Sequence, residues 1–134
     1  AQRLLRRICP FCVQPYTPTP YDLKLLGYSP GHVRRYRFLK GQGCQHCRHT
    51  GYKGRLAVFE MLVLNEDVRD AVLNHKSSYE IRKISIETSG LVTLMEDAIS
   101  KATAGLTTME EIFRCVPRLI PPRPINEIHR LQGL

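Results

Sequence analysis

The chain has 134 residues, enough for one ordinary domain or two small subdomains. Hydrophobic residues make up 43% and charged residues 24% of it, which excludes an intrinsically disordered chain, and no apolar run is long enough to span a bilayer, so we expect a cytoplasmic protein. The formal net charge of +8 is uneven, with +9 on residues 1–60, −3 on residues 61–116 and +2 on residues 117–134.

The first half of the chain predicts little regular structure. Residues 10–32 are rich in Pro and Tyr and indicate an irregular loop with a short helical turn over residues 22–26. Residues 33–40 and 56–64 have the β-branched and aromatic content of strands. The glycine-rich residues 41–54 lie between them and carry Cys44 and Cys47, while Cys9 and Cys12 form another pair with the same C-x₂-C spacing, which is typical of zinc ligands. The simplest arrangement is therefore a β-hairpin whose tip, residues 41–54, is a metal-binding turn that we call the knuckle.

Four short helices are predicted from residue 65 onward. Asn65 can cap the first helix, and Gly90 and Gly105 are suitable stops. Three Ser/Thr-x-x-Glu capping boxes predict the later starts: Ser77 with Glu80, Thr93 with Glu96, and Thr107 with Glu110. Apolar residues at helical spacing form the expected inner faces: Val68, Ala71 and Val72; Ile81 and Ile84; Leu94, Ala98 and Ile99; Met109, Ile112, Phe113 and Val116.

The predicted fold class is α+β. Residues 1–64 form a small tetracysteine zinc subdomain with a β-hairpin, and residues 65–116 form a bundle of four short helices. Residues 117–134 are a Pro-rich tail, in which residues 125–131 have the pattern of one amphipathic helix.

The strongest signal is a pair of C-x₂-C motifs, made by Cys9 with Cys12 and Cys44 with Cys47. A two-residue spacer lets both sulfurs of a pair reach one ion, and two pairs complete a tetrahedron. We therefore expect one structural Zn²⁺ on four thiolates, with iron as the chemical alternative. Free buried thiols, two disulfides or a redox dithiol remain open, although a reducing cytoplasm disfavours disulfides and no βαβ pattern accompanies the pairs.

Three further residues are weaker candidates. His46 and His49 lie beside the second pair and could compete as metal ligands, whereas Cys115 has the position of a core thiol. No P-loop or other catalytic motif occurs, so the chain alone is predicted to have no catalytic or cofactor-binding residue.

The ordered motifs resemble one family. Arg-Leu-Leu-Arg-Arg-Ile-Cys-Pro-x-Cys at 3–12, Gly-Cys-x-x-Cys-x-x-Thr-Gly-Tyr-x-Gly-Arg at 43–55 and Phe-Glu-Met-Leu at 59–62 are followed by Gly-Leu-x-Thr-Leu-x-Glu-Asp-Ala at 90–98 and Gly-Leu-Thr-Thr-x-Glu-Glu at 105–111. In this order they are similar to the C-terminal region of type II secretion and type IV pilus assembly ATPases, over about residues 1–116.

The resemblance implies a metal role for the four cysteines within a longer parent, which the start of the chain at Ala1 also led us to expect. That parent would be a hexameric cytoplasmic ATPase that binds ATP and Mg²⁺ through motifs upstream of this region. Its implied partners are the other ring subunits and an inner-membrane platform or its cytoplasmic adaptor. Arg69 matches the first Arg of an Ile-Arg-Asn-Leu-Ile-Arg motif in the related retraction ATPases, which implies an interface role, but Leu73 replaces the second Arg.

A nucleic-acid-binding zinc ribbon is the alternative function. Basic residues surround the second cysteine pair: Arg34, Arg35, Arg37, Lys40, Arg48, Lys53 and Arg55. Four thiolates on Zn²⁺ add −2 to the formal charge, so part of this basic excess can neutralise the metal site without nucleic acid. A chaperone-type cysteine-rich domain is weakened by the presence of only two cysteine pairs.

Overall fold

The computed structural model describes all residues from Ala1 to Leu134, and the α+β class is confirmed. The four strands are β1 (Gln2–Ile8), β2 (Val13–Tyr16), β3 (Phe38–Gly41) and β4 (Tyr52–Phe59). The seven helices are α1 (Pro20–Leu26), α2 (Pro30–Val33), α3 (Glu66–Leu73), α4 (Ser78–Ser89), α5 (Leu94–Thr103), α6 (Met109–Cys115) and α7 (Ile125–Leu131). None of these helices has the length and apolar content needed to cross a bilayer.

The strands form two small antiparallel pairs, β1 with β4 and β2 with β3. The predicted hairpin partners were therefore wrong, because β3 and β4 do not pair with each other. Leu5 of β1 lies opposite Leu56 of β4, and both Leu5 and Ile8 are buried. The arginines of β1 make this hydrophobic face hard to recognise in the sequence. Pro15 is tolerated in β2 because that strand is at the edge of a two-stranded sheet.

Side-chain caps start the predicted helices. Asn65, Ser77 and Thr93 each accept a hydrogen bond from the third residue of α3, α4 and α5, as predicted. The predicted cap of α6 was wrong by one residue, because Thr108 caps this helix. The hydroxyl of Thr107 instead donates to the carbonyl oxygen of Arg6 at 2.9 Å.

One cluster of 16 buried residues forms the core, and it draws on both halves of the chain from Leu5 to Ile125. Helix α5 lies at its centre and packs against β3, β4, α6 and α7. The predicted helix over residues 125–131 coincides with α7, whose Ile125 and Ile128 are buried. The division into subdomains at residues 64 and 116 stays a prediction.

Candidate metal centre

The four predicted cysteines come together at one point. Their sulfur atoms all lie within 4.8 Å of one another, with Sγ–Sγ distances of 3.8 Å for Cys9–Cys44, 3.9 Å for Cys12–Cys47 and 3.8 Å for Cys44–Cys47. A tetrahedral ion with Zn–S bonds of about 2.3 Å needs sulfurs about 3.8 Å apart. Disulfide sulfurs lie about 2 Å apart, and none of the cysteines is disulfide-bonded. The donor set and its spacing therefore fit one tetrahedral metal ion.

Two turns bring the cysteines to this point. Cys9 and Cys12 occupy the tight turn between β1 and β2, while Cys44 precedes and Cys47 ends a 3₁₀ turn at Gln45–Cys47. The backbones of Gly41 and Gly51 approach so closely that a Cβ on Gly41 would clash with the carbonyl of Gly51. Position 41 therefore requires glycine, because the chain entering the second turn there passes directly beside the chain leaving it at Gly51.

Backbone amides support two of the sulfurs. The N–H of Gly43 donates to Cys12 Sγ at 3.3 Å, and the N–H groups of Cys44 and Gly51 donate to Cys47 Sγ at 3.3 and 3.2 Å. Such second-layer donors orient ligands and favour the thiolate. The cysteine spacing does not predict these donors, although the glycines on both sides of the second pair were their signal in the sequence.

The thiols that accept these hydrogen bonds are in surroundings where burial opposes their ionisation. Burial raises the pKa of Cys47, but the N–H donors of Cys44 and Gly51, together with hydrogen bonds from the thiols of Cys44 and Cys12, outweigh it and lower that pKa to about 6. At Cys12, burial outweighs the single N–H of Gly43 and raises the pKa to about 11. The four sites are therefore not equivalent, and a bound cation would supply the charge that stabilises the remaining thiolates.

The structure does not bring the weaker candidates into this cluster. His46 stacks on Phe11 with a ring-centroid distance of 4.0 Å, and His49 is exposed. Cys115 lies on α6, where its thiol contacts Glu111 Oε1 at 3.6 Å. Arg69 is exposed on α3.

Strand β1 connects the cysteine cluster to the helices. The N–H of Ile8 donates to the carbonyl of Leu106, and the N–H of Cys9 donates to the carbonyl of Gly51. Two residues earlier, the backbone N–H and guanidinium of Arg6 donate to the carboxylate of Glu111 on α6 at 2.9 to 3.2 Å. Strand β1 thus links the first cysteine pair to α6 and to the loop between α5 and α6.

Comparison with known proteins identifies where such a module occurs. A family model described as "Type II/IV secretion system protein" matches residues 1–114. The chain belongs to this family. The predicted resemblance to type II secretion and type IV pilus ATPases is thereby confirmed.

Individual relatives within the family support the assignment. The type IV pilus assembly ATPase PilB of Thermus thermophilus is 43% identical over 113 residues, or 84% of this chain and 13% of that protein. The type II secretion system protein E of Pectobacterium carotovorum is 37% identical over 85% of this chain and 22% of its own length. The protein of that name in Klebsiella pneumoniae is 32% identical over 95% of this chain and 23% of its length. The chain therefore spans less than a quarter of each of these secretion-family relatives.

Proposed function

We propose that this chain is a zinc-stabilised structural and assembly module of a secretion or pilus-assembly ATPase. The convergence of four sulfurs at tetrahedral spacing, in a chain of the type II/IV secretion family, is the observation that carries this proposal. Cys9, Cys12, Cys44 and Cys47 bind one Zn²⁺, and all four positions are filled by thiolate. Such a site leaves no place for a reactive water, so the ion stabilises the fold rather than performing chemistry.

The parent of this module is an ATPase that assembles as a hexameric ring in the cytoplasm. The relatives described above are named as a pilus-assembly ATPase and as secretion system proteins, which supports the ATPase part of this proposal. Within the ring, the module packs against neighbouring subunits, with Arg69 of α3 as one interface residue. It transmits motion towards an inner-membrane platform or its cytoplasmic adaptor, and it associates with the membrane only through those partners.

The attachment of β1 to α6 supports a mechanical role for the metal. Glu111 holds Arg6 by its backbone and its side chain, three residues before the first metal-binding cysteine. Movement of the helices is therefore passed to the knuckle through hydrogen bonds and ion pairs, while the metal keeps the knuckle rigid.

A single-strand nucleic-acid binder is the second candidate, and one observation favours it. Phe11 is 60% exposed and stacks on His46, and Lys53 Nζ lies 5.4 Å from the centre of its ring. An exposed aromatic ring beside cations can stack on bases. Binding of a single-stranded oligonucleotide that weakens steeply with salt would support this candidate, and no binding at low salt would eliminate it.

Two cysteine substitutions test the metal proposal. Cys44→Ser removes one ligand, so we expect loss of bound zinc and a free energy of unfolding lower by at least about 3 kcal/mol, a fraction of what structural zinc contributes in small domains. Cys115→Ser is the matched control, because this thiol lies outside the cluster and its loss should leave the zinc content unchanged. Elemental analysis of both proteins distinguishes zinc from iron, and equal metal content in the two variants would contradict the assignment.

A further inference from the structure

An open groove lies on the first half of the chain, and none of the four cysteines lines it. It has a volume of about 500 Å³, within the range of ligand-binding clefts. Three aromatic side chains contribute to it: Tyr16 of β2, Phe38 of β3, and Tyr36 from the turn just before β3. We call it the tyrosine–proline groove, because four prolines also line it: Pro15, Pro18, Pro20 and Pro30.

The walls of this groove are rigid. Each proline has a fixed φ and little side-chain freedom, so ordering the groove costs little entropy. The Tyr16 hydroxyl donates to Asp22 Oδ2 at 2.5 Å, and the Tyr36 ring packs edge-on against His129 with centroids 5.5 Å apart. The aromatic surface is therefore already in place before any ligand binds.

Two arginines with no ion-pair partner also line the groove. Arg34 and Arg37 line it, both are exposed, and neither takes part in any of the ion pairs of the molecule. No Asp or Glu is among the lining residues, and the nearby Asp22 accepts hydrogen bonds from Tyr16 and Thr19. Two unpaired guanidinium groups over apolar walls are complementary to an acidic ligand with an apolar body.

The chemistry of the walls favours an extended peptide over a nucleotide. Prolines have no N–H, so these four positions cannot provide the backbone donors that usually surround phosphate groups. Pro15 also makes β2 a poor edge for the addition of another strand. Grooves lined by aromatic rings are instead the surfaces that bind extended, proline-containing segments, which need no strand pairing.

We propose that the tyrosine–proline groove binds an extended, acidic, proline-containing segment of a partner protein. Proline or aromatic side chains of the segment lie against the rings, and its carboxylates pair with Arg34 and Arg37. This role goes beyond the structural one proposed above and depends neither on the identity of the metal nor on ring formation.

The test uses the intact chain and a defined probe, the blocked peptide Glu-Glu-Pro-Phe-Pro-Glu-Glu. We expect saturable changes in the amide NMR signals of groove residues such as Tyr16, Tyr36 and Phe38. A peptide with Lys in place of every Glu should not bind. Arg34→Glu should weaken binding about tenfold or more, as expected for an arginine that pairs directly with the ligand.

Arg35→Glu is the matched control, because Arg35 is exposed in the same turn but does not line the groove. It should weaken binding by less than about threefold at physiological salt, where distant charges are screened. The proposal is overturned if the peptide gives no saturable change, if the changes map elsewhere, or if both variants lose affinity equally. Adenosine monophosphate is the competing probe, and tighter binding of it to the same residues would assign the groove to a small anion instead.

Discussion

At the residue scale, the carboxylate of Glu111 is the most heavily bonded charged group in the molecule. Its side chain is fully buried, and it accepts hydrogen bonds from the N–H and guanidinium of Arg6 and from the guanidinium of Arg114. Burial alone would raise its pKa, but Arg114 and Arg6 outweigh burial and lower this pKa to about 2. Glu111 is therefore charged in the folded protein and fastens β1 to α6.

Replacing this carboxylate should be costly. For Glu111→Gln we expect the free energy of unfolding at neutral pH to fall by about 2 kcal/mol, the usual contribution of hydrogen bonds to a charged group. Both arginine side chains are partly exposed, so they can return to water, which keeps the loss below that of a fully buried pair. Glu110→Gln is the matched control, since Glu110 is the exposed neighbour and should change stability by less than about 0.5 kcal/mol. Urea unfolding of the three proteins provides the comparison, and equal losses in both variants would refute this role.

The same carboxylate predicts a dependence on pH. A group whose pKa is lowered by folding stabilises the protein above its unfolded pKa, and this stabilisation disappears as the pH falls through the folded value. The stability difference between wild type and Glu111→Gln should therefore be constant above about pH 5 and shrink as the pH falls from about 4.5 to 2. The unfolding free energies of both proteins across this range give the difference directly, and a difference that stays constant or grows towards pH 2 would contradict the assigned pKa.

Residue-scale prediction from the sequence succeeded where the cause was local. Ser77 and Thr93 were predicted as caps because each bonds a residue three positions away. The choice between Thr107 and Thr108 depended on Arg6, which lies 101 residues from Thr107 in the sequence. A local pattern cannot contain that information.

At the element scale, the helices were easier to predict than the strands. Helices α3 to α6 carry their own caps and apolar spacing, whereas β1 hides its buried Leu5 and Ile8 among arginines and pairs with a strand some fifty residues away. The cysteine cluster was predictable despite the wrong strand pairing, because the spacing within each C-x₂-C pair is itself local. The groove could not be predicted, because its walls come from several separate elements.

Helix α7 is an integral part of the core rather than a loose tail. Ile128 is completely buried, and Arg123, just before α7, pairs with Glu96 Oε2 at 2.8 Å and donates to the carbonyl of Leu91. The carbonyl of Arg123 in turn accepts from the Tyr28 hydroxyl at 2.6 Å. The Pro-rich segment before α7 is thus bonded to the core through both the side chain and the backbone carbonyl of Arg123.

This packing predicts a clear difference between two substitutions in the same tail. Ile128→Ala should lower the free energy of unfolding by about 2 to 4 kcal/mol, because it leaves a cavity against α5. Leu134→Ala should have almost no effect, because Leu134 is 78% exposed. Thermal unfolding of both variants tests this, and an Ile128→Ala protein as stable as wild type would mean that α7 does not dock as described.

At the scale of the whole molecule, the cysteine cluster and the helices are connected through one core. Strand β1 ends at Ile8, next to the first cysteine pair, and its Leu5 belongs to the core cluster, which also contains residues of α5, α6 and α7. We expect metal removal to unfold the knuckle first and to destabilise the helices less, because the helices retain their caps and apolar contacts. In hydrogen exchange, amides of residues 41–51 should lose protection in chelator before those of α5 do.

The metal content of the purified chain, measured together with its shape in strong chelator, tests the central claim most directly. The account predicts about one equivalent of zinc per chain, four sulfur neighbours at about 2.3 Å by X-ray absorption, and loss of the folded knuckle when the ion is removed. Less than about half an equivalent of metal on fully reduced cysteines, with the native shape retained in chelator, would contradict it.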